Sequence, residues 1–243
     1  MGFFDFLFGG SEESQLKRHS KRLNNLNAQF EDRMASAQWL ADQGSQEAIV
    51  ALLKRFSLTY EQRMKDADEK NMVYQLLEEI GSDVLEPTKN WIRKNANFAI
   101  PLQLIDKFEG DESTITLLLE LLGLEIDPFK SEKKRQILIH LSKYKDARII
   151  ERVPACLEDF DEGVRYAAVE ALAFQNDDSV REDLATAIAN PEEESNRLRV
   201  RIAEIFHNRK WSLGEKSSFV QNSPPTGYIV QEDQILPDPN SRR

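Results

Sequence analysis

Residues 161–172 read Asp-Glu-Gly-Val-Arg-Tyr-Ala-Ala-Val-Glu-Ala-Leu. Within this stretch Val164, Ala167, Ala168 and Ala171 follow the i, i+3, i+4, i+7 spacing of a single helix face. The small alanines on that face let a neighbouring helix approach closely. The stretch therefore predicts an amphipathic helix that packs side by side with other helices.

The same pattern recurs along the chain, with a basic residue followed mostly by apolar residues three, six and seven positions later. The basic residues are Arg33, Lys70, Lys134, Arg165 and Arg199, and Phe98 takes their place in one further copy. Successive copies lie 28 to 37 residues apart, a period typical of stacked helix pairs. Each copy is therefore predicted to be the first helix of a pair.

A turn is predicted between the two helices of each pair. The residues expected to cap the second helices are Ser45, Ser82, Asp111, Asp146 and Asp177. Each can accept a hydrogen bond from a first-turn N–H, which contributes about 1 kcal/mol. Glycines at positions 44, 81 and 110 stand where the preceding helix ends and a left-handed residue is favoured.

The stretch 161–172 resembles the Asp-x-x-Val-Arg-x-x-Ala-x-x-Ala-Leu core of HEAT repeats, in particular the bacterial HEAT-like or phycobilisome-lyase-type repeats. The resemblance covers residues 29–210 and is strongest over 130–206. It implies an all-α protein, an alpha-alpha superhelix in which five or six helix pairs form a HEAT-like solenoid. It also implies binding of another protein along the concave face.

The sequence predicts three regions. They are an N-terminal apolar segment and helix over 1–28, a HEAT-like repeat domain over 29–212, and an extended, flexible tail over 213–243. Pro224, Pro225, Pro237 and Pro239 disfavour long helices in the tail. The apolar stretch 226–230 within it is predicted to dock on the chain's own repeats.

Composition limits the function. The chain has 243 residues and a net charge of -10, which argues against a general attraction to nucleic acid or anionic lipid. The single cysteine, Cys156, excludes an internal disulfide and is predicted to be buried. With no signal-peptide pattern and no run of roughly 20 apolar residues, the protein is predicted to be cytoplasmic.

No constellation of residues indicates catalysis. His19, His140 and His207 lie in widely separated segments, and packing roles are favoured because a catalytic base needs an orienting partner. Zinc-protease, phosphate-loop and nucleophile-elbow motifs are absent from the sequence. The chain is therefore predicted to be non-catalytic, with no cofactor and no metal site.

The second helices of the pairs are the better place for a binding site, because they form the inner face of such stacks. The predicted partner-binding residues are Lys89, Trp91, Arg93, Arg148, Arg152 and Arg181. Trp91 and Arg93 stand out because Trp and Arg are enriched at binding hot spots. The alternative is that Trp91 only fills the gap between two repeats.

The five repeated basic residues allow two interpretations. In the favoured one, each reaches an acidic group of the adjoining repeat, so that a ladder of ion pairs fixes the stacking. In the other, they line a groove for an acidic ligand. Arg197 and Arg201, one helical turn apart, raise a similar alternative of a phosphate-binding strip at the last helix.

The N-terminal cluster Phe3, Phe4, Phe6 and Phe8 also has two interpretations. It could cover the apolar face of the first repeat, or insert into a membrane surface or a partner's groove. The lack of Lys and Arg in this segment weakens the membrane interpretation.

The preferred function is a non-catalytic scaffold or adaptor that holds another protein on its concave face. One alternative is a nucleic-acid-binding protein, with DNA glycosylase-like activity as the family resemblance allows, and net charge argues against it. A bilin lyase-like chaperone is the third class.

Overall fold

The structure is a computed structural model that describes residues 11–124 and 131–241. Most of these residues are helical, as predicted. The helices are α1 (Glu12–Leu23), α2 (Phe30–Gln43), α3 (Gln46–Leu53), α4 (Arg63–Ile80), α5 (Leu85–Lys94), α6 (Ala99–Leu124), α7 (Ser131–Leu141), α8 (Ala147–Arg152), α9 (Glu162–Gln175), α10 (Arg181–Ala189), α11 (Asn196–Arg209) and α12 (Ser217–Asn222). Two short strands, β1 (Tyr228–Gln231) and β2 (Gln234–Pro237), follow them.

The chain divides into two compact units, and the division falls between Leu117 and Leu118, inside α6. The residues before this point form the first unit and those after it form the second. The division lies within the predicted repeat domain 29–212.

Several helix boundaries have the predicted chemistry. Gly44 adopts a left-handed φ of 58°, and the Ser45 hydroxyl accepts from the Ala48 amide at 3.3 Å. Asn176 takes the same left-handed role with a φ of 54°, and Asp177 accepts from the Ser179 amide at 2.8 Å. Local sequence therefore sets where these helices end.

Two other predicted turns differ. Ser82 lies inside a 3-10 turn, Gly81–Val84, and its side chain caps no helix. Helix α6 bends at Gly110, whose φ of 77° is not helical, so the predicted boundary at that glycine is a kink. Glycine adopts this positive φ without the strain that a residue with a side chain would have there.

In the first unit, the pair α2–α3 stacks on the pair α4–α5. Helix α2 packs on α4, α3 packs on α5, and α1 packs on both helices of the first pair. The side chains between them are fully buried, as at Leu40, Leu52, Leu77 and Ile92. First helices therefore pack against first helices and second helices against second helices.

The second unit repeats this arrangement of first helices. Helix α9 packs between α7 and α11, and α10 packs on α11 and on the 3-10 turn Pro154–Glu158. Its core includes Leu138, Leu172 and Phe206, all with no exposed surface. The motif segment 161–172 thus contributes the central helix of this unit.

The favoured ladder interpretation is confirmed for three of the repeated basic residues. Arg33 donates to Glu69 at 2.6 Å, Lys134 to Asp159 at 2.6 Å and Arg165 to Glu193 at 2.7 Å. In each pair the acid belongs to the next repeat or to the turn that precedes it. Register between repeats is therefore set by charge as well as by apolar packing.

The remaining two basic residues differ from that prediction. Lys70 pairs with Asp66 of its own helix at 2.7 Å and not with an acid of the adjoining repeat. Arg199 donates to the backbone carbonyl of Ser223 beyond the last repeat, where no further repeat supplies an acid.

The first unit contains a buried ionic cluster around Glu69. Its carboxylate accepts from the Arg33 and Arg55 guanidiniums and from the Tyr60 hydroxyl. The Arg55 side chain has no exposed surface and also donates to Asp66 at 2.7 Å. Both guanidiniums lie over the Tyr60 ring, at 5.1 and 4.9 Å from its centroid. Such a cluster tolerates burial because each charge has partners.

The prediction of an extended tail over 213–243 is wrong for much of that region. Residues 217–222 form α12, and β1 and β2 form an antiparallel hairpin. The turn between the strands uses positive φ at Glu232 and Asp233. The prolines flank these elements rather than interrupt them, since Pro237 is the last residue of its strand.

The segment 226–230, predicted to dock on the chain itself, contacts α11 through Thr226, whose hydroxyl donates to Asn196 at 2.9 Å. Strand β2 packs on α11, with Ile235 only 1% exposed, and β1 packs on α12. Trp211 joins the same region, donating its indole N–H to Asp178 at 2.9 Å. The hairpin therefore covers the apolar face of the last repeat helix.

Candidate binding groove

A groove with a cavity volume of about 910 Å³ opens in the second unit. Three segments form it: the turn 154–160, helix α10 with the loop that follows it, and the start of the C-terminal segment. The lining residues are Pro154, Leu157, Glu158, Asp159, Phe160, Arg165, Asp183, Thr186, Ala187, Ala189, Asn190, Pro191, Glu192, Glu193, Lys216 and Phe219.

Two phenylalanines expose large apolar surface beside this groove. Phe160 is 82% exposed and Phe219 is 60% exposed. Single exposed apolar residues are ordinary on a protein surface, but two that share a groove with further apolar residues form a patch. Leu157 and Pro191 extend this patch along the lining.

Arg165 holds the segment that carries Phe160. One guanidinium nitrogen donates to the backbone carbonyls of Asp159 and Phe160, at 2.9 and 3.0 Å. The other two donate to the Glu193 carboxylate, at 2.7 and 2.8 Å. One side chain therefore ties together two loops that line the groove.

Glu193 also receives a hydrogen bond from its own loop. Its carboxylate also accepts from the Ser195 amide at 2.8 Å, next to the start of α11. Burial alone would raise the pKa of Glu193, but the hydrogen bonds from Arg165 and from that amide outweigh burial and lower it. Glu193 thus stays ionised and keeps the Arg165 contact.

The groove carries an excess of negative charge. Its lining includes five carboxylates and two cationic side chains. Glu193 is neutralised by Arg165 and Asp159 by Lys134. No ion pair to Glu158, Asp183 or Glu192 is present among the described residues.

Asp183 is the most unusual of these acids. Burial, followed by repulsion from Glu182, raises the pKa of the Asp183 carboxyl. A carboxylate in this position gains from a positively charged neighbour, which would replace the solvation that burial removes. The groove therefore combines apolar surface with acids that lack a cationic partner.

The C-terminal segment completes the groove. Helix α12, which carries Phe219, packs on α10, as does the turn Gly214–Lys216. Val220 anchors α12 with no exposed surface, and Lys216 also lines the groove. The region predicted as a flexible tail is therefore part of the candidate site.

Three of the residues predicted to bind a partner lie on α5 in the first unit. Trp91 is only 6% exposed, so it fills the interior as the alternative interpretation proposed. Lys89 pairs with Glu109 at 2.7 Å, and Arg93 is half-buried and contacts Asn90. Burial makes Trp91 unavailable as a surface contact in this conformation.

The other three predicted residues lie in the second unit but do not line the groove. Arg148 donates to Asp146, the cap of its own helix, at 2.7 Å. Arg152 is exposed at the end of α8, and Arg181 is half-buried at the start of α10. The groove and the predicted site thus share helix α10 but no residue.

The three histidines and the cysteine pack against other parts of the chain. Burial, with a further contribution from Lys143, lowers the pKa of His140 to about 4. His19 stacks on Trp39 with ring centroids 4.3 Å apart, and His207 contacts the Ile235 carbonyl. Burial raises the pKa of the Cys156 thiol to about 11, which disfavours the reactive thiolate.

Searches of the described residues for two other kinds of site gave negative results. No group of His, Cys, Asp and Glu is arranged there to hold a metal ion. No helix in residues 11–124 or 131–241 is long and apolar enough to cross a bilayer. The Phe3, Phe4, Phe6 and Phe8 cluster lies outside the described residues.

Comparison of the chain with protein-family models, with curated proteins and with solved structures gives no match. The resemblance to HEAT repeats therefore rests on the motif residues alone.

Sequence reasoning missed the residues that matter most in this groove. Phe160 stands between Asp159 and Asp161, immediately before the predicted helix segment 161–172, where a large apolar residue has no packing partner on its own helix. That placement is a signal of exposure. Phe219 gave no such signal, because it becomes part of the groove only when α12 packs on α10.

Proposed function

We propose that this chain is a non-catalytic scaffold that binds another protein through the groove of the second unit. We further propose that its helix pairs are HEAT-like repeats of an alpha solenoid, acting in a reducing compartment such as the cytoplasm. The single observation that carries the proposal is the pair Phe160 and Phe219, both largely exposed beside one groove.

Exposed aromatic side chains favour protein binding over a solvated surface. Burial of a phenylalanine side chain stabilises a complex by about 2 kcal/mol, and aromatic residues are enriched in interface cores. Arg165 and Glu193 fix the loops behind the groove, so little ordering is required when a partner binds.

The chemistry of the lining supports a binding role. Its described residues include aliphatic, aromatic and acidic side chains but no histidine or cysteine. An activated nucleophile next to a base, the usual arrangement for covalent catalysis, does not occur among them.

A photo-crosslinking amino acid at position 219 tests the proposal in the native cell. We expect a crosslinked protein that disappears when Phe160 is replaced by serine. The matched control places the crosslinker at Phe174, which is 44% exposed in the same unit but does not line the groove. Equal crosslinking from positions 219 and 174 would argue that the groove has no partner.

A further inference from the structure

We propose that the groove binds a positively charged segment of a partner protein, with arginine side chains between apolar residues. This inference rests on the proposed function and specifies the chemistry of the partner. It follows from the carboxylates that remain without a cation and from the apolar surface beside them.

Charge complementarity favours a cationic partner. Glu158, Asp183 and Glu192 lie on the lining without an ion pair among the described residues, and Lys216 is the one lining cation left after the Arg165–Glu193 pair. Opposite charges across an interface accelerate association and exclude wrong partners. An acidic segment would meet repulsion from these three acids.

The two phenylalanines of the groove favour arginine in the partner segment over a cation that acts only as a point charge. Arginine stacks its planar guanidinium on aromatic rings while its N–H groups donate to carboxylates. The chain itself contains this combination, since Arg197 lies 4.0 Å from the centroid of the Tyr166 ring and donates to Glu162. Phe160 and Phe219 offer comparable ring surface beside the groove carboxylates.

The apolar part of the lining requires apolar residues in the same segment. Pro154 and Ala187, both half-buried, contribute aliphatic surface to the same lining as the two phenylalanines and the acids. A segment with only basic residues would leave this surface exposed to water. The N-terminal stretch 1–10 of this chain is apolar but carries no cation, so it does not match the charge of the groove.

The test uses the full chain and three fluorescent peptides of equal length. One combines arginine with leucine, one replaces arginine by glutamate, and one replaces leucine by serine. We expect the arginine–leucine peptide to bind at least about tenfold more tightly than either of the others, because it satisfies both parts of the groove. Its affinity should fall as salt increases.

Two sets of variants locate the binding. Phe160→Ser with Phe219→Ser should abolish binding, and Glu158→Gln, Asp183→Asn and Glu192→Gln together should weaken it about tenfold. The matched charge control replaces exposed acids away from the lining, Glu61→Gln, Glu79→Gln and Glu151→Gln, and should leave the affinity unchanged.

Three outcomes would overturn the inference. Equal binding of the arginine and glutamate peptides would show that charge does not select the partner, while crosslinking from position 219 would still support a protein-binding groove. Tight binding of a single-stranded oligonucleotide in place of the peptides would assign the groove to nucleic acid. Self-association of the chain that Phe160→Ser abolishes would make a second copy the occupant.

Discussion

Arg165 and Glu193 form a two-point ion pair in which two guanidinium nitrogens reach two carboxylate oxygens, at 2.7 and 2.8 Å. Residue 165 is the basic position of the repeat motif, and residue 193 lies in the turn before the next repeat. The same contact that sets the register of two repeats therefore also fixes two loops of the groove.

Replacement of Arg165 tests this double role. Arg165→Gln should lower the free energy of unfolding of the second unit by about 2 kcal/mol, because Glu193 would remain buried without its cation. Arg165→Lys should restore little, since an ammonium cannot reach Glu193 and two carbonyls together. Urea denaturation followed by amide exchange of α9 and α11 measures the change. Arg152→Gln, an exposed arginine in the same unit, is the control and should have no effect.

The buried cluster around Glu69 should be a larger source of stability. Glu69→Gln leaves two buried guanidiniums without their shared anion, and we expect a loss of about 3 kcal/mol in the first unit. Chemical denaturation with amide exchange of α2 and α4 measures it. Glu79→Gln, an exposed position on the same helix, should change stability little, and an equal effect at both positions would contradict the account.

Acid should destabilise the same cluster. Burial would raise the pKa of Glu69, but hydrogen bonds from Arg33 and Arg55 outweigh burial and lower it below the ordinary 4.5. A lowered carboxylate pKa means that the stabilisation is complete above pH 4.5 and is lost as pH falls through the lower folded value. The first unit's unfolding free energy should therefore decrease below that pH, and Glu69→Gln should reduce the decrease.

His140 should make the stability of the second unit depend on pH. Its pKa of about 4 lies below the ordinary 6.5 because burial, aided by Lys143, disfavours the charged ring. The folded state therefore loses stability as pH falls from 6.5 towards 4, by roughly 3 kcal/mol at the lower end. Thermal unfolding of His140→Gln across this range should lack that dependence. A parallel decline in wild type and variant would show that His140 is not the cause.

Elements that are set by local sequence could be predicted, whereas elements that form by packing of distant segments could not. Val164, Ala168 and Leu172 could be assigned to a buried helix face because helix periodicity is local. Gly44 and Ser45 could be assigned to the boundary between two helices for the same reason. The helix α12 and the hairpin could not, because short elements with little intrinsic stability form through packing on α10 and α11.

The candidate site was less predictable than the fold. Trp91 was selected by residue type, yet its burial depends on how α5 packs on α3. Phe160 and Phe219 are far apart in the sequence and line the same groove only once the second unit has folded. A ladder between adjoining repeats could be predicted in general, but its acids could not be identified, since Glu69 and Glu193 lie 36 and 28 residues from their arginines.

The hairpin should stabilise the groove that its neighbour α12 helps to form. Ile235→Asp places a carboxylate at a position that is 1% exposed, so β2 should detach from α11 and α12 should loosen. We expect faster amide exchange over 212–237 and weaker binding of the arginine–leucine peptide. The exposed change Gln231→Asp is the control. Unaltered exchange in α12 would mean that the hairpin does not support it.

Amide hydrogen exchange of the full chain, with and without the arginine–leucine peptide, shows where the peptide binds. If the groove is the binding site, exchange slows on binding in residues 154–160, in α10 with the loop 190–193, and in α12. Protection confined to α5 around Lys89, Trp91 and Arg93 would contradict it and would return the binding site to the position expected from the sequence.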